Sequence, residues 1–209
     1  MLRGALADAA ATLVPPICAG CGSPGAWLCL ACRTDLDPLT ATLGAMVVRA
    51  AGAHAGPLRT AIHRFKYRQE RALARELGSL IAMLLAQDLA HGIRIDALVP
   101  VALHPERARW RGYDQAGLLA DAAGMHTGLP VIAALHRIRH ATPQVDLDRA
   151  ERERNVDGAF VSTAGALRGA SVALVDDVTT TGATLQAAAR AVRAAGARRI
   201  RAYVVAADE

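Results

Sequence analysis

Aromatic residues are scarce in this chain: phenylalanine, tryptophan and tyrosine together make up 3% of its 209 residues. Few side chains are therefore available for stacking on nucleic-acid bases, which argues against a single-strand binder that depends on stacking. Lysine is scarcer still, since Lys66 is the only lysine among 24 basic residues. The surroundings of this one lysine are therefore of particular interest.

Long apolar runs are also lacking. The uncharged stretch at residues 81–86 is far shorter than the roughly 18 residues that a membrane span requires, so no span is predicted. Four cysteines are too few for a scaffold held together by disulfides. With 53% hydrophobic residues, however, the chain has enough apolar material for one domain and a small appendage.

The net charge and the amino-terminal residues indicate which kind of partner and which cell compartment to expect. A formal net charge of +5 favours a polyanionic partner, without distinguishing DNA from a small phosphorylated substrate. Residues 1–14 have apolar side chains at helical spacing, but Asp8 interrupts them and no clear cleavage site precedes Pro15 and Pro16. A signal peptide is a poor interpretation of this segment, and a cytoplasmic location is expected.

All four cysteines fall in two Cys-x-x-Cys pairs separated by seven residues: Cys18, Cys21, Cys29 and Cys32. Two such pairs can place four thiolates around one tetrahedral ion at about 2.3 Å each, which predicts a structural zinc site. Iron is the competing metal, and incidental or redox-active thiols are the alternative without metal. The sequence thus predicts an amino-terminal unit of residues 1–40 containing a zinc knuckle.

The rest of the chain alternates between short apolar runs and longer segments of helical periodicity. The pattern predicts helices at 69–90, 114–125 and 182–195, and strands at 96–101, 171–175 and 200–205. This alternation is typical of an α/β domain whose parallel sheet carries helices on both faces. We assign this domain to residues 41–209, and residues 39–53 contain the boundary. Ligands in such sheets bind at the carboxyl ends of the strands.

One segment combines an apolar run, two adjacent carboxylates and a hydroxyl-rich loop. Asp176 and Asp177 end the strand, where they can accept hydrogen bonds from vicinal hydroxyls or approach a metal. Gly182 permits close approach of a ligand, and loop amides before a helix can bind an anion. The alternative is that the threonines only cap the helix. The predicted sugar-phosphate loop comprises Asp176, Asp177, Val178, Thr179, Thr180, Thr181, Gly182, Ala183 and Thr184.

This segment resembles the phosphoribosyl pyrophosphate (PRPP) binding motif of type I phosphoribosyltransferases. Together with the four cysteines, it makes the chain similar to the ComF family of competence proteins over nearly its full length. The other matching blocks are Phe65-Lys66-Tyr67, Pro100, residues 107–115 with Arg111 and Gly112, Thr142 and Gln144, Arg152 with Arg154 and Asn155, and Gly158-Ala159-Phe160.

The resemblance implies a role for each block. Asp176 and Asp177 would bind the ribose hydroxyls, and residues 179–184 would hold the 5-phosphate. The loop after strand 96–101 would cradle pyrophosphate, with Arg111 assisting catalysis beside the two aspartates. Residues that would reach the pyrophosphate, several of them from a mobile loop at 137–155, are Lys66, Arg111, Gly112, Gln144, Arg152 and Arg154. The alternative is a solvated charged surface, and for Lys66 a stem that covers the sheet edge.

Two departures from the family pattern affect the expected chemistry. Asp114 stands where family members usually have asparagine, which would add negative charge near the pyrophosphate. Thr180 stands where purine-salvage relatives commonly carry an aspartate, so no residue stands out as a general base. The sequence leaves the acceptor and the oligomeric state undetermined.

The resemblance implies a magnesium-dependent phosphoribosyltransferase that uses PRPP, transfers phosphoribose to an unidentified acceptor and releases pyrophosphate. One alternative is a competence factor that handles single-stranded DNA, with DNA or a competence helicase as its partner. Basic residues and a zinc knuckle are its support in the sequence. The other alternative is a sensor that binds PRPP or a nucleotide without reacting.

Overall fold

A computed structural model describes residues 15–138 and 158–208. The helix expected at residues 1–14 lies outside these ranges. Within them, no helix combines the length and the apolar character needed to cross a bilayer. The strands are β1 (Leu39–Leu43), β2 (Met46–Ala53), β3 (Ala97–Pro100), β4 (Leu135–Arg137), β5 (Phe160–Ser162), β6 (Ser171–Thr179) and β7 (Arg199–Ala207). The helices are α1 (Leu30–Thr34), α2 (Gly56–Tyr67), α3 (Leu73–Ala90), α4 (Pro105–Arg111), α5 (Gln115–Thr127) and α6 (Ala183–Ala194).

The main sheet has five strands in the order β1-β2-β7-β6-β3. Strands β2, β7, β6 and β3 are parallel, and β1 pairs antiparallel with β2 at the edge. Residues 39–53, expected as a boundary, thus form a hairpin that belongs to the sheet. The predicted α/β class with a parallel sheet is confirmed, and the antiparallel edge strand is an addition to it.

Side chains of β7 show how the two faces of the sheet are covered. Tyr203 and Val205 join a core that includes α2, α3 and α5, whereas Ala202 and Val204 join a second core with α6 and the hairpin of β4 and β5. This alternation follows from the two-residue period of a strand. Both faces are therefore covered, as predicted, and the carboxyl ends of four parallel strands meet at one edge.

The observed bounds differ from the predicted ones where they matter for function. Helix α3 begins at Leu73 rather than at residue 69, and β6 extends to Thr179 rather than ending at residue 175. Helix α2 was not predicted, although it buries Leu58, Ala61, Ile62 and Phe65 at helical spacing. It also has a proline in its first turn, a position that helices favour.

The cysteine segment packs directly onto helices α2 and α3. Cys18, Leu28 and Cys32 belong to the same core as these helices. The guanidinium of Arg64 donates a 3.1 Å hydrogen bond to the carbonyl of Ile17, and a Cβ added at Gly20 would lie 2.8 Å from Cβ of Pro57. The segment is thus in close contact with α2, while the division of the chain at residues 40 and 41 stays a prediction.

Candidate functional site

The two adjacent carboxylates lie near the carboxyl end of β6. Asp176 is still paired with Val204 of β7, and the backbone N–H of Asp177 donates a 2.8 Å hydrogen bond to Oδ1 of Asp176. Because adjacent residues of a strand point to opposite faces, the two carboxylates face different elements. Asp177 is buried, and Asp176 is half-buried.

Lys66, at the end of α2, contacts this pair. Its Nζ lies 2.7 Å from Oδ1 of Asp177, and only 18% of the lysine side chain is exposed. The position of α2 over the first core therefore brings the single lysine of the chain to the acidic pair. This ion pair leaves the charge of Asp176 without an equally close cation among the described residues.

Negative charge is in excess at this edge of the sheet. Burial and the charge of Asp177 raise the pKa of Asp176 to about 8. Burial, reinforced by the charge of Asp177, also raises the pKa of Asp114, whose Oδ1 is buried without a hydrogen-bond partner among the described residues. The charge of Asp114, the residue that departs from the family pattern, in turn raises the pKa of Asp176. Three carboxylates close enough for their charges to interact, with Lys66 paired to one of them, form a site suited to a cation or to hydroxyl donors.

The loop after β6 leads into α6 through Gly182. This glycine has a φ of +75°, which favours glycine, and occupies the N-cap position of α6. Its missing side chain leaves room for Leu43 of β1, whose Cδ1 would clash with an added Cβ. The hydroxyl of Thr181 accepts a 3.4 Å hydrogen bond from the N–H of Ala183. The next amides of α6 have no partner within the helix, so they are available to an anion.

Two blocks named from the sequence meet in space beside the acidic pair. Tyr113 donates a hydrogen bond through its hydroxyl to the carbonyl of Phe65, and the two rings lie 5.5 Å apart. The guanidinium carbon of Arg111 lies 5.4 Å from the centre of the Tyr67 ring, and its Nη1 donates a 3.1 Å hydrogen bond to Gln115. Residues 65–67 and 111–115 therefore form one structural unit.

Gly112 closes helix α4 within this unit. Its φ is +76°, and its carbonyl accepts a 2.5 Å hydrogen bond from Arg71. A left-handed residue at this position ends the helix and turns the chain toward α5. The candidates Gln144, Arg152 and Arg154 lie outside the described residues.

Arg137 is a charged residue at the site that the sequence singled out only as the start of a loop. It ends β4, and its guanidinium carbon lies 5.4 Å from the ring centre of Phe160. Burial and the charge of Arg107 lower the pKa of Arg137, whereas the charge of Asp176 opposes this shift. Its Nε is buried without a hydrogen-bond partner among the described residues. The block Gly158-Ala159-Phe160, which carries that ring, was the signal in the sequence.

The four cysteines form one cluster. Their Sγ atoms all lie within 4.8 Å of one another, and those of Cys21 and Cys29 are 3.6 Å apart. A tetrahedral zinc ion with bonds of about 2.3 Å needs sulfur atoms about 3.8 Å apart. Burial opposes ionisation of Cys18, but hydrogen bonds, led by that from the backbone of Cys29, outweigh it and lower the pKa to about 6. Burial raises the pKa of Cys32 to about 12. The donor set fits a soft metal ion.

Comparison with known proteins gives independent support for the family resemblance found in the sequence. A family model described as a phosphoribosyl transferase domain matches residues 125–209. Competence protein F of Haemophilus influenzae is 28% identical over 193 residues, covering 90% of this chain and 83% of that protein. The DNA utilization protein YhgH of Salmonella typhimurium is 26% identical over 190 residues, covering 90% of this chain and 82% of that protein.

Similar solved structures include the glutamine PRPP amidotransferase of Bacillus subtilis in complex with ADP and GMP. It is 21% identical, with a TM-score of 0.43, and the match covers 63% of this chain and 25% of that one. A structure described as the allosteric regulatory enzyme of purine biosynthesis is 23% identical, with a TM-score of 0.41 and the same coverage. The two relatives confirm the resemblance to the ComF family, the domain model supports the type I phosphoribosyltransferase-like fold, and the structure contains the amino-terminal cysteine cluster.

Proposed function

We propose that this protein binds PRPP with magnesium in the cytoplasm and transfers its phosphoribosyl group to an acceptor, releasing pyrophosphate. The observation that carries the proposal is the group formed by Asp176, Asp177 and Lys66 directly before the loop that leads into α6. Carboxylates and phosphate-binding amides lie next to each other there, as a sugar phosphate requires. The phosphoribosyl transferase domain match at residues 125–209 supports the same chemistry.

In this proposal the acidic pair binds the sugar. Carboxylate oxygens of Asp176 and Asp177 accept hydrogen bonds from the two ribose hydroxyls, and these donors supply the partners that Asp176 lacks. Such hydrogen bonds favour the ionised carboxyl, so ligand binding lowers the raised pKa of Asp176. The amides and hydroxyls of residues 179–184 hold the 5-phosphate at the start of α6.

Positive side chains surround the position of the leaving group. Arg111 contacts the ring of Tyr67, the neighbour of Lys66, and Arg137 is near enough to Asp176 for the two charges to interact. Gln144, Arg152 and Arg154 are the further candidates. Cations placed where charge develops stabilise the transition state most. Magnesium bound with the pyrophosphate would neutralise part of its charge, and carboxylate oxygens such as those of Asp176 and Asp177 are ligands that it accepts.

The test is calorimetric titration of PRPP with magnesium into the wild type and into Asp176→Asn/Asp177→Asn. The double substitution keeps the shape of both side chains and removes their charge, so we expect at least a hundredfold loss of affinity. Asp35→Asn is the matched control, because Asp35 is an exposed aspartate far along the chain from the loop. Equal affinity of the wild type and the double variant would overturn the proposal.

Pyrophosphate release separates an enzyme from a sensor. If PRPP binds to the wild type and no acceptor causes release of pyrophosphate, the site functions as a PRPP or nucleotide sensor. If acceptors cause release that Arg111→Ala slows, the transferase assignment stands. Asp176 and Asp177 are needed in both cases, so the binding experiment comes first.

We further propose that the cysteine cluster holds a structural zinc ion. Because Cys18 and Cys32 pack in the core with α2, the ion would fix the helix that carries Lys66. Metal analysis of protein purified without chelator is expected to give one zinc per chain, and chelation is expected to lower the melting temperature. Protein that is folded and free of zinc would contradict this assignment, and iron in its place would make the cluster redox-active.

Single-stranded DNA is the second candidate ligand, on the strength of exposed aromatic and basic side chains. Trp110 and Tyr67 are 71% and 53% exposed, and the arginines Arg68 and Arg109 next to them are also exposed. Exposed aromatic rings beside arginines can stack on bases and contact phosphates. The names of the two relatives, one for competence and one for DNA utilization, are in line with this partner. Affinity for an oligonucleotide that falls steeply with salt and is unchanged in Asp176→Asn/Asp177→Asn would support it.

A further inference from the structure

The main sheet has one open edge within the part of the chain that the structure describes. At one end of the sheet, β3 pairs further with residues 130–132, because Leu98 donates its N–H to Pro130 and accepts from the N–H of Ile132. At the other end, β1 has β2 on one side and no further strand on the other. The backbone groups on the free side of β1 are therefore available to another strand.

Strand β1 lacks the features that usually protect an edge strand from pairing. Its residues, Leu39, Thr40, Ala41, Thr42 and Leu43, include no charged residue, no proline and no glycine. The middle three are exposed, and the register with β2 continues from the first residue to the last without a bulge. Natural sheets commonly protect such edges with charged side chains, proline or bulges. This edge is thus suited to a partner strand.

The hairpin turn determines which backbone groups of β1 point to the open side. Because the turn at residues 44–45 has two residues, Leu43 and Met46 at its ends form a hydrogen-bonded pair. Hydrogen-bonded and non-hydrogen-bonded pairs alternate along an antiparallel ladder, so every second residue counted back from Leu43 bonds to β2. The remaining residues, Thr40 and Thr42, direct their N–H and C=O groups to the open side.

The sequence of β1 is the same in both directions, Leu-Thr-Ala-Thr-Leu. In an antiparallel pair with a second copy of the strand, centred on Ala41, Thr40 lies opposite Thr42 and Leu39 lies opposite Leu43. The two pairs of threonines then exchange four backbone hydrogen bonds, because the free groups of β1 are those of the threonines. Like residues thus meet like residues across a two-fold axis at Ala41.

Other registers of this pair are less favourable. A shift of two residues in one direction places Pro38, which has no N–H, opposite Thr42 of the second copy. The opposite shift places Gly44 of the turn opposite Thr40. In the register centred on Ala41, by contrast, all the free groups of the threonines are paired and no charged residues of the strand oppose each other.

The side chains favour the same register. Leu39 and Leu43 are half-buried against the second core, on the face that they share with Ala41. Pairing places Leu39 of one copy beside Leu43 of the other, so that each leucine covers the exposed part of its neighbour, and it brings threonine hydroxyls together on the opposite face. Leu43 also packs where a side chain at Gly182 would lie, so the edge adjoins the loop that leads into α6.

We propose that the protein forms a symmetric dimer through the open edge of β1, which joins two five-stranded sheets into one sheet of ten strands. The partner is a second copy because the strand supplies its own symmetric register, and a two-fold contact of this kind closes at two copies. A five-residue strand edge is smaller than a standard interface of about 1,600 Å², so we expect a dissociation constant of roughly 10 µM. The dimer does not depend on the binding of PRPP.

The experiment places charge on the two-fold axis. Ala41 lies opposite itself in the dimer, so Ala41→Lys brings two lysines together and Ala41→Glu brings two glutamates together, whereas a mixture of the two variants pairs lysine with glutamate. Ala86→Lys, at an exposed alanine of α3, is the matched control. Sedimentation equilibrium of the wild type, each variant and the mixture, from about 1 to about 200 µM protein, measures the association.

We expect the mass of the wild type to approach twice the 21.8 kDa of one chain, and Ala86→Lys to match it. Each Ala41 variant alone should associate at least tenfold more weakly, and the equimolar mixture should regain the association of the wild type. Regained association also shows that both variants are folded. A wild type that stays monomeric, an Ala41 variant that dimerises like the wild type, a mixture that stays monomeric, or equal weakening by Ala86→Lys would each overturn the proposal.

Discussion

Two acidic side chains, the buried Asp88 and the half-buried Asp176, lie at this sheet in opposite surroundings. Asp88 of α3 is 6% exposed and is surrounded by donors: Arg49 at 2.5 Å, the hydroxyl of Tyr203 at 2.6 Å, and Arg201. Asp176 of β6 has two further carboxylates, Asp177 and Asp114, among its charged neighbours. The protein itself supplies the hydrogen-bond donors for Asp88, and it supplies no side-chain donor for Asp176 among the described residues.

The pKa values follow this difference. Burial opposes the charge of Asp88, but the hydrogen bonds from Tyr203 and Arg49 outweigh it and lower its pKa. Burial and like charge raise the pKa of Asp176 to about 8. The protein satisfies the charge of Asp88 with three side-chain donors, whereas Asp176 accepts one hydrogen bond, from the backbone N–H of Asp177, and has two carboxylates nearby. The charged form of Asp176 therefore costs stability until a ligand binds. The comparison is in line with a structural role for Asp88 and supports the proposed ligand-binding role of Asp176.

The largest expected effect in this comparison is that of Asp88→Ala. The substitution removes an acceptor from the half-buried Arg49 and Arg201 and from the buried hydroxyl of Tyr203, which costs about 3 kcal/mol, the low end for a broken buried ion pair. Urea denaturation measures the free energy of unfolding. Asp121→Ala, at an exposed position of α5, is the control and should change it by less than about 0.5 kcal/mol. Equal stability of the two variants would show that the Asp88 network is not structural.

The next effect concerns the loop that follows Asp176 and Asp177. Gly182→Ala places a side chain at a φ of +75°, which costs about 1–2 kcal/mol, and its Cβ meets Leu43 of β1. We expect a loss of about 3 kcal/mol in the free energy of unfolding, measured with urea. Leu43→Ala in the same chain should restore only the part due to the clash. Full recovery in the double variant would contradict the backbone strain, and no loss in the single variant would contradict both causes.

The sequence predicted the features that depend on neighbouring residues. Strand, acidic pair, threonine loop and helix follow one another along the chain, so the local pattern was enough to predict a strand, a loop and a helix there. The sugar-phosphate role of residues 176–184 stays a prediction. The cysteine cluster could be predicted in the same way, because its four cysteines fall within residues 18–32. The structure brings their sulfur atoms together. In both cases the chemistry is encoded in a short stretch.

Features that depend on strand order could not be predicted in the same way. Lys66 meets Asp177 because β2 lies beside β7 and α2 crosses the face of the sheet toward β6. Arg137 reaches the vicinity of Asp176 because β4 and β5 pack on the opposite face. Neither contact has a signal in the spacing of residues. The resemblance to a known family named Lys66 as a candidate, and the fold supplied its partner.

The smallest of the three effects has the opposite sign, because Asp176→Asn should stabilise the protein free of ligand. An aspartate has a pKa of about 3.9 in an unfolded chain, and that of Asp176 in the fold is about 8. The folded state therefore holds a proton that the unfolded state has released, and wild-type stability falls as pH rises from about 4 to about 8. Asparagine does not titrate, so the variant lacks this fall.

Urea denaturation should give Asp176→Asn an advantage in the free energy of unfolding that grows between pH 5 and pH 8 to roughly 2 kcal/mol, discounted for the partial exposure of the group. Asp121→Asn, the exposed control, should follow the wild type at every pH. Parallel curves for the wild type and Asp176→Asn would show that Asp176 has found a partner within the protein, and its contrast with Asp88 would no longer hold.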